Sequence, residues 1–256
     1  MTALAPNIEI FFTDISYEER ITRMADMGFK AVDMFSHENK NHKAIGKVCE
    51  KCGITISMVV GNVLTKGYND RSLHDGLVKH FEEVAAAAVE MQACNIVVLS
   101  GNTLPRVPFH EQDSAIIDGL KRLIPIIEKY NVTAVLEMLN SLYDHPGYYL
   151  DNTRTMFNII KAISHPGIKA LYDIYHAGIM CGNIVEDIKA GIELIGHFHI
   201  AGIPGRHEPK HSELNYPFIV EQICNAGYKR YIGLEYWPVK PHKESLIETK
   251  EWLVKK

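Results

Sequence analysis

Short apolar runs alternate along this chain with longer segments whose apolar residues return every three or four positions. The first pattern reads as strand and the second as amphipathic helix. Strands are predicted at residues 8–12, 31–35, 54–60, 96–99, 133–137, 168–173, 197–200 and 231–235. Helices are predicted over about 17–27, closed by Gly28, and over about 43–52, closed by Gly53. A long helix carries Leu73, Leu77, Phe81, Val84 and Ala88 on one face. A fourth carries Ile116, Leu120, Leu123 and Ile127, with Pro125 as a kink. Helices over about 154–163, 184–195, 218–225 and 245–255 follow, and Lys255 and Lys256 read as a solvated tail. Strands that alternate with helices imply a parallel sheet. Eight such units over residues 1–256, with no linker or shift in composition, predict one α/β domain, a (β/α)8 TIM barrel. No strand is followed by GxGxxG or GxxxxGK[ST], so a nucleotide-binding open sheet has no support.

Composition narrows the function classes. Lys plus Arg number 27 against 31 Asp plus Glu, for a net charge of −4, so no electrostatic case exists for a nucleic-acid or anionic-membrane partner. No apolar run approaches the roughly 18 residues that span a bilayer. The first residues lack a basic start and an apolar h-region, so no signal peptide is expected and a cytoplasmic location is. The five cysteines, an odd number, read as reduced thiols. Cys49 and Cys52 form a CxxC, but on a helix and without a second pair, which argues against a zinc or redox site.

Function in such a barrel sits at the C-terminal strand ends. The last four predicted strands end at or next to Glu137, Asp173, His199 and Glu235. Strand parity places Val135 with Glu137, Leu171 with Asp173, His197 with His199 and Gly233 with Glu235, so each can point inward. Three carboxylates and an imidazole at one rim, with no Lys or Arg beside them on those strands, repel unless a divalent cation joins them. Oxygen-rich ligation with one nitrogen suits one Mn²⁺ per chain, with Mg²⁺, Co²⁺ and Zn²⁺ as other candidates. The bland reading is that each is an incidental polar strand-end residue.

Several stretches are more specific. They are Leu136-Glu137 with Asn140, Pro146-Gly147-Tyr148, and Tyr172-Asp173-Ile174-Tyr175-His176. Ile200-Ala201, Pro204-Gly205-Arg206-His207-Glu208-Pro209, Asn215-Tyr216-Pro217 and Ile232-Gly233-Leu234-Glu235-Tyr236 complete the set. On them the chain resembles the hydroxypyruvate isomerase family, within the wider xylose-isomerase-like barrel superfamily of sugar isomerases and epimerases. The resemblance implies Glu137, Asp173, His199 and Glu235 as metal ligands, Glu137 and Glu235 as the acid–base pair, and His176 and Arg206 as substrate contacts. It also implies a small sugar or sugar-acid substrate and a homo-oligomer, dimer or tetramer. Two departures stand out. Hydroxypyruvate isomerases tend to carry Gln where this chain has His199, as ketose 3-epimerases do not, and the loop 140–145 is one residue longer than usual.

An α-hydroxy carbonyl compound presents two oxygens to a metal, which stabilises the enediolate formed when the α-proton leaves. Returning the proton to the neighbouring carbon is an isomerisation, such as hydroxypyruvate to tartronate semialdehyde; returning it to the opposite face of the same carbon is an epimerisation. Arg206 suits a substrate carboxylate, or alternatively anchors its loop by pairing with Glu208. Asn62, Asn102, Phe12, Phe35, Tyr236 and Trp237 could line the pocket, against a plain packing role. Three rival readings remain. An apurinic endonuclease would need three metals and an electropositive face. A sugar-acid binding protein would need no second Glu, and a lyase would expel a β-leaving group from the same enediolate.

Overall fold

The computed structural model describes residues 2–253, and the predicted end of the last helix and the Lys255-Lys256 tail lie outside them. The elements follow in order as β1 (Ala3–Pro6), α1 (Tyr17–Asp26), β2 (Ala31–Asp33), α2 (His42–Cys52), β3 (Thr55–Val60), α3 (His74–Met91) and β4 (Ala93–Leu99). Then come α4 (Phe109–Lys121), α5 (Ile124–Tyr130), β5 (Thr133–Glu137), α6 (Thr153–Ile163), β6 (Ile168–Asp173), α7 (Ile174–Met180) and α8 (Ile184–Gly191). Strand β7 (Ile195–Ile200), α9 (Tyr216–Asn225), β8 (Tyr231–Leu234) and α10 (His242–Leu253) complete the chain. All eight strands lie in one parallel sheet whose spatial order keeps chain order, with β1 beside β8. A bridge from Asn7 to Asp33, and the Ile8 N–H donating to the Asp33 carbonyl at 2.9 Å, bring β1 to β2 and close the barrel. The predicted (β/α)8 barrel is therefore the observed fold.

Helix-covered parallel strands are buried on both faces, and every residue of β7 is buried. Helix ends follow local chemistry. Ser16 and Glu19 make a reciprocal capping box at α1, and Gly53 ends α2 in the left-handed region. No described helix is long and apolar enough to cross a membrane. All five cysteines are free, with Cys49 buried within α2.

The structure corrects four local expectations. The run at 8–12 is not the first strand; β1 lies earlier, in the small residues Ala3–Pro6. Ile8 and Phe11 are buried as the run predicts, but in a turn whose Ile10 and Phe11 N–H groups donate to the Asn7 carbonyl. The carbonyls of that turn are served by a buried Arg20, which donates to Ile8, Thr13 and Ile15. Apolar content alone could not tell a ladder from this arrangement. Pro125 does not kink one long helix but starts α5 after α4 has ended, a position where its missing N–H costs nothing. The helix expected to reach residue 195 stops at Gly191, and a 3-10 turn over Ile192–Leu194 leads into a longer β7. Helix α7 was not predicted: it starts directly after β6, and Asp173 caps it by accepting the Tyr175 N–H at 2.8 Å.

Helices α2 and α3 approach so closely that a Cβ on Gly46 would lie 2.1 Å from the Glu90 carbonyl oxygen. Ala is the better helix former by about 1 kcal/mol, yet here the added methyl meets rigid backbone. Gly46→Ala is expected to destabilise the protein by about 1–3 kcal/mol, read as a lower urea midpoint at unchanged m. An unchanged midpoint would show that the two helices can separate freely.

Candidate active site

Four neighbouring strands deliver the candidate ligands. Glu137 ends β5, Asp173 ends β6, His199 is the penultimate residue of β7, and Glu235 directly follows β8. Asp173 lies opposite His199 in register, and His199 opposite Gly233. All four are buried, Asp173 and His199 to 1% exposure. The His199 Nδ1 atom faces Glu235 Oε2 at 2.8 Å, Glu137 Oε1 at 3.6 Å and Asp173 Oδ2 at 4.0 Å. It makes no aligned hydrogen bond with any described residue.

The electrostatics follow from burial and crowding. Burial, with the Glu235 and Asp173 charges adding to it and His199 opposing it, pushes Glu137 up to about 7. Burial also raises Asp173, against the pull of Arg206 and His199. Burial would raise Glu235 too, but the facing His199 and Arg206 outweigh it and hold it below the usual carboxylate range. Burial opposes a charged His199, yet Glu235, Asp33 and Glu137 overcome it and lift its pKa well above the ordinary value.

These residues fit a divalent cation. Glu137, Asp173 and His199 each offer a ligand atom, all within 4.8 Å of one another. An imidazole nitrogen without an aligned partner, turned toward three carboxylate oxygens, is the donor set expected around a hard or borderline ion.

Arg206 comes closer to this cluster than its loop position suggested. Its guanidinium hydrogen-bonds Glu235 and lies 3.8 Å from Asp173 Oδ2, between the rings of Tyr175 and Trp237. The cluster therefore does have a cation beside it, supplied by a loop and not by the strands. Arg206 adopts a left-handed backbone, φ 57°, which a side chain enters at a cost of about 1 kcal/mol. Its N–H donates to Gly202 O and its carbonyl accepts from Trp237 N, each at 2.9 Å. The alternative pairing of Arg206 with Glu208 is not formed. Glu208 instead accepts from the Val239 and Lys240 N–H groups and the Ser245 hydroxyl, tying this loop to the one after β8.

One residue of the site, Asp33, escaped the sequence reading. Asp33, at the end of β2, puts Oδ2 at 3.2 Å from His197 Nε2 and 3.4 Å from His199 Nε2, and its Oδ1 accepts from the Ser57 hydroxyl. Burial would raise its pKa, but the two histidines hold it far below the usual range. A Cβ on Gly233 would lie 2.1 Å from Asp33 Oδ2 and 2.4 Å from His199 Cδ2, so only glycine leaves room for this contact. The available signal was parity: Ala31 and Asp33 share a face, as do His197 and His199.

His176 is fully buried on α7. Its Nδ1 is 2.7 Å from the Asn140 amide nitrogen, and its Nε2 is 3.4 Å from Asp173 Oδ2. Asn62 anchors its own loop, bonded to the backbone of Val63, Lys66 and Leu99, and Asn102 bridges Tyr148 through its backbone. Tyr236 is buried with its hydroxyl on Ser245 and Thr249, and Phe12 packs on His242, so neither walls the site. Phe35 packs against the core, and Trp237 is half exposed.

Residues 21–256 match the sequence profile of the xylose isomerase-like TIM barrel family. The chain is 26% identical, over the whole of both chains, to the 2-oxo-tetronate isomerase of Pectobacterium atrosepticum. It is 25% identical to the hydroxypyruvate isomerase of Escherichia coli, over 93% of this chain and 94% of that one. Among solved structures it resembles an AP endonuclease of family 2 from Brucella melitensis, with a TM-score of 0.89, 21% identity, and 98% and 99% of the chains covered. It also resembles the Escherichia coli 3-keto-D-glucoside 4-epimerase, at 0.83 and 19% over 98% and 99%. A zinc-bound IolI protein follows at 0.82 and 14% over 99% and 98%. These structures share the fold, and the profile match over nearly the whole length settles the lineage: the chain belongs to the xylose isomerase-like TIM barrel family.

Proposed function

We propose that the protein is a metal-dependent isomerase of a small α-hydroxy carbonyl sugar acid, acting through an enediolate, with hydroxypyruvate to tartronate semialdehyde as the model reaction. The observation that carries this reading is the His199 nitrogen held without an aligned partner among three buried carboxylates, two of them glutamates. The full-length likeness to hydroxypyruvate and 2-oxo-tetronate isomerases supports the substrate class.

Glu137, Asp173, His199 and Glu235 would hold the ion, Mn²⁺ by preference. Bound there, it would supply Lewis acidity to the substrate's carbonyl oxygen. The chain's own residues do the rest. Glu137 and Glu235 stand on strands separated by β6 and β7, so a substrate lying across the rim has a carboxylate toward each side. One takes the α-proton, and the other returns a proton to the neighbouring carbon. Burial raises the proton affinity of Glu137 and strengthens it as a base, whereas Glu235, held low by His199 and Arg206, is the weaker base of the two. Arg206, fixed between Tyr175 and Trp237, offers its planar edge to the substrate carboxylate, and His176 donates to a substrate oxygen. The substrate is a small molecule in solution, the location cytoplasmic and the assembly homo-oligomeric in this reading.

His199 favours a second reading, a ketose 3-epimerase, since the resembling hydroxypyruvate isomerases tend to have Gln at this position. The same residues would then return the proton to the opposite face of one carbon. Proton NMR in D₂O on a panel of hydroxypyruvate, 2-oxo-tetronate and a ketose with a free 3-hydroxyl separates the two.

Chelation should abolish turnover and Mn²⁺ or Co²⁺ should restore it better than Mg²⁺, with one ion per chain by elemental analysis. His199→Gln should narrow that preference, because an imidazole gains more than a carboxamide from the softer ions. Full activity of a metal-free sample would end this reading, and three ions per chain would favour a nuclease. Glu137→Gln and Glu235→Gln should each lower kcat by about 10²-fold or more, since the amide coordinates but takes no proton. Near-normal turnover in Glu235→Gln would leave the reaction without its second acid–base group. Arg206→Ala should raise KM more for hydroxypyruvate than for a neutral ketose; equal effects on both would remove the argument for an acid substrate.

A further inference from the structure

Asn140 sits three residues past Glu137 in the loop after β5, fully buried. Its carboxamide oxygen accepts the backbone N–H groups of Tyr143 at 3.1 Å and Asp144 at 3.0 Å. Those two donors fix the amide's orientation, because a half-turn would set its NH₂ against both of them. The nitrogen therefore directs its two hydrogens to the acceptors on its other side, Asp144 Oδ2 at 2.5 Å and His176 Nδ1 at 2.7 Å. A ring nitrogen that accepts a hydrogen bond carries no proton of its own. Asp144 is held in place in turn by the Tyr175 hydroxyl at 2.8 Å, so loop and helix α7 are joined around the ring.

We propose that Asn140 is a positioning residue that locks His176 in the neutral Nε2–H tautomer, making it a one-way hydrogen-bond donor to the substrate oxygen on which charge develops. The lock excludes the imidazolium and the other tautomer alike, since each would point an N–H at the Asn140 NH₂. The free end of the ring agrees. His176 Nε2 is buried and lacks a hydrogen-bond partner among the described residues; Asp173 Oδ2, 3.4 Å away, is out of line with it. A buried N–H left unpaired costs free energy, and a ligand oxygen at the site would recover it. His176 is thereby removed from the set of candidate bases, which leaves proton removal to the carboxylates.

The substrate half of this inference rests on the isomerase reading; the tautomer does not. Long-range proton–nitrogen correlation on histidine-labelled protein, loaded with diamagnetic Mg²⁺ and free of substrate, should show His176 Nδ1 pyridine-like and Nε2 pyrrole-like. A protonated Nδ1 there would overturn the lock without any variant. The paired exchange Asn140→Asp with Asp144→Asn keeps a donor–acceptor pair in the loop but turns an acceptor toward the ring. It should move the proton to Nδ1 and lower kcat on hydroxypyruvate by about 100-fold, the usual cost of losing one donor to a developing oxyanion. Metal affinity should stay close to that of the native protein, measured by calorimetry. A switched tautomer with unchanged kcat would overturn the donor role. Absence of turnover in the native protein would count against the isomerase reading and not against the lock, which the nitrogen shifts decide.

Discussion

Everything at the rim depends on keeping three carboxylates together away from water. Charges at these separations interact far more strongly in a protein interior than in bulk solvent, and a buried ion set of this kind is rarely favourable for stability alone. The structure answers with nitrogen groups from two directions. His199 rises through the middle of the cluster, and Arg206 closes over Glu235 and Asp173. The shifts in proton affinity are consequences of this crowding. Burial raises Glu137, whereas Glu235, which faces both His199 and Arg206, is held low.

The barrel makes such a cluster affordable by building it on rigid elements. Neighbouring strands in fixed register hold Asp173 opposite His199 and His199 opposite Gly233. The missing side chain at Gly233 lets Asp33 reach across from β2 and touch the far side of the imidazole. A further carboxylate thus contacts the ring at its other nitrogen. The loops then add what strands cannot. Arg206 arrives on a left-handed backbone pinned at both ends, and Glu208 fastens that loop to the segment after β8. Asn140 and Asp144 do the same around His176.

The sequence by itself determined the barrel, and with it the rim. Strand–helix alternation is a local signal repeated eight times, so an error in one unit did not spread. Strand β1 was placed too late because buried Ile8 and Phe11 look the same in a turn as in a strand, and the difference lies in Arg20, a residue of the next helix. Helix α7 was missed because its start is Asp173 itself, whose side chain both faces the site and caps the helix. Parity and strand-end position were enough to bring Glu137, Asp173, His199 and Glu235 to one face. What only the tertiary structure decided are the contacts between elements distant in sequence: Asp33 with His197 and His199, Arg206 with Glu235, and Asn140 with His176. Each pair is brought together by packing, and the contact of Asp33 with His199 also by the absence of a Cβ at Gly233. No periodicity along a single element carries that information.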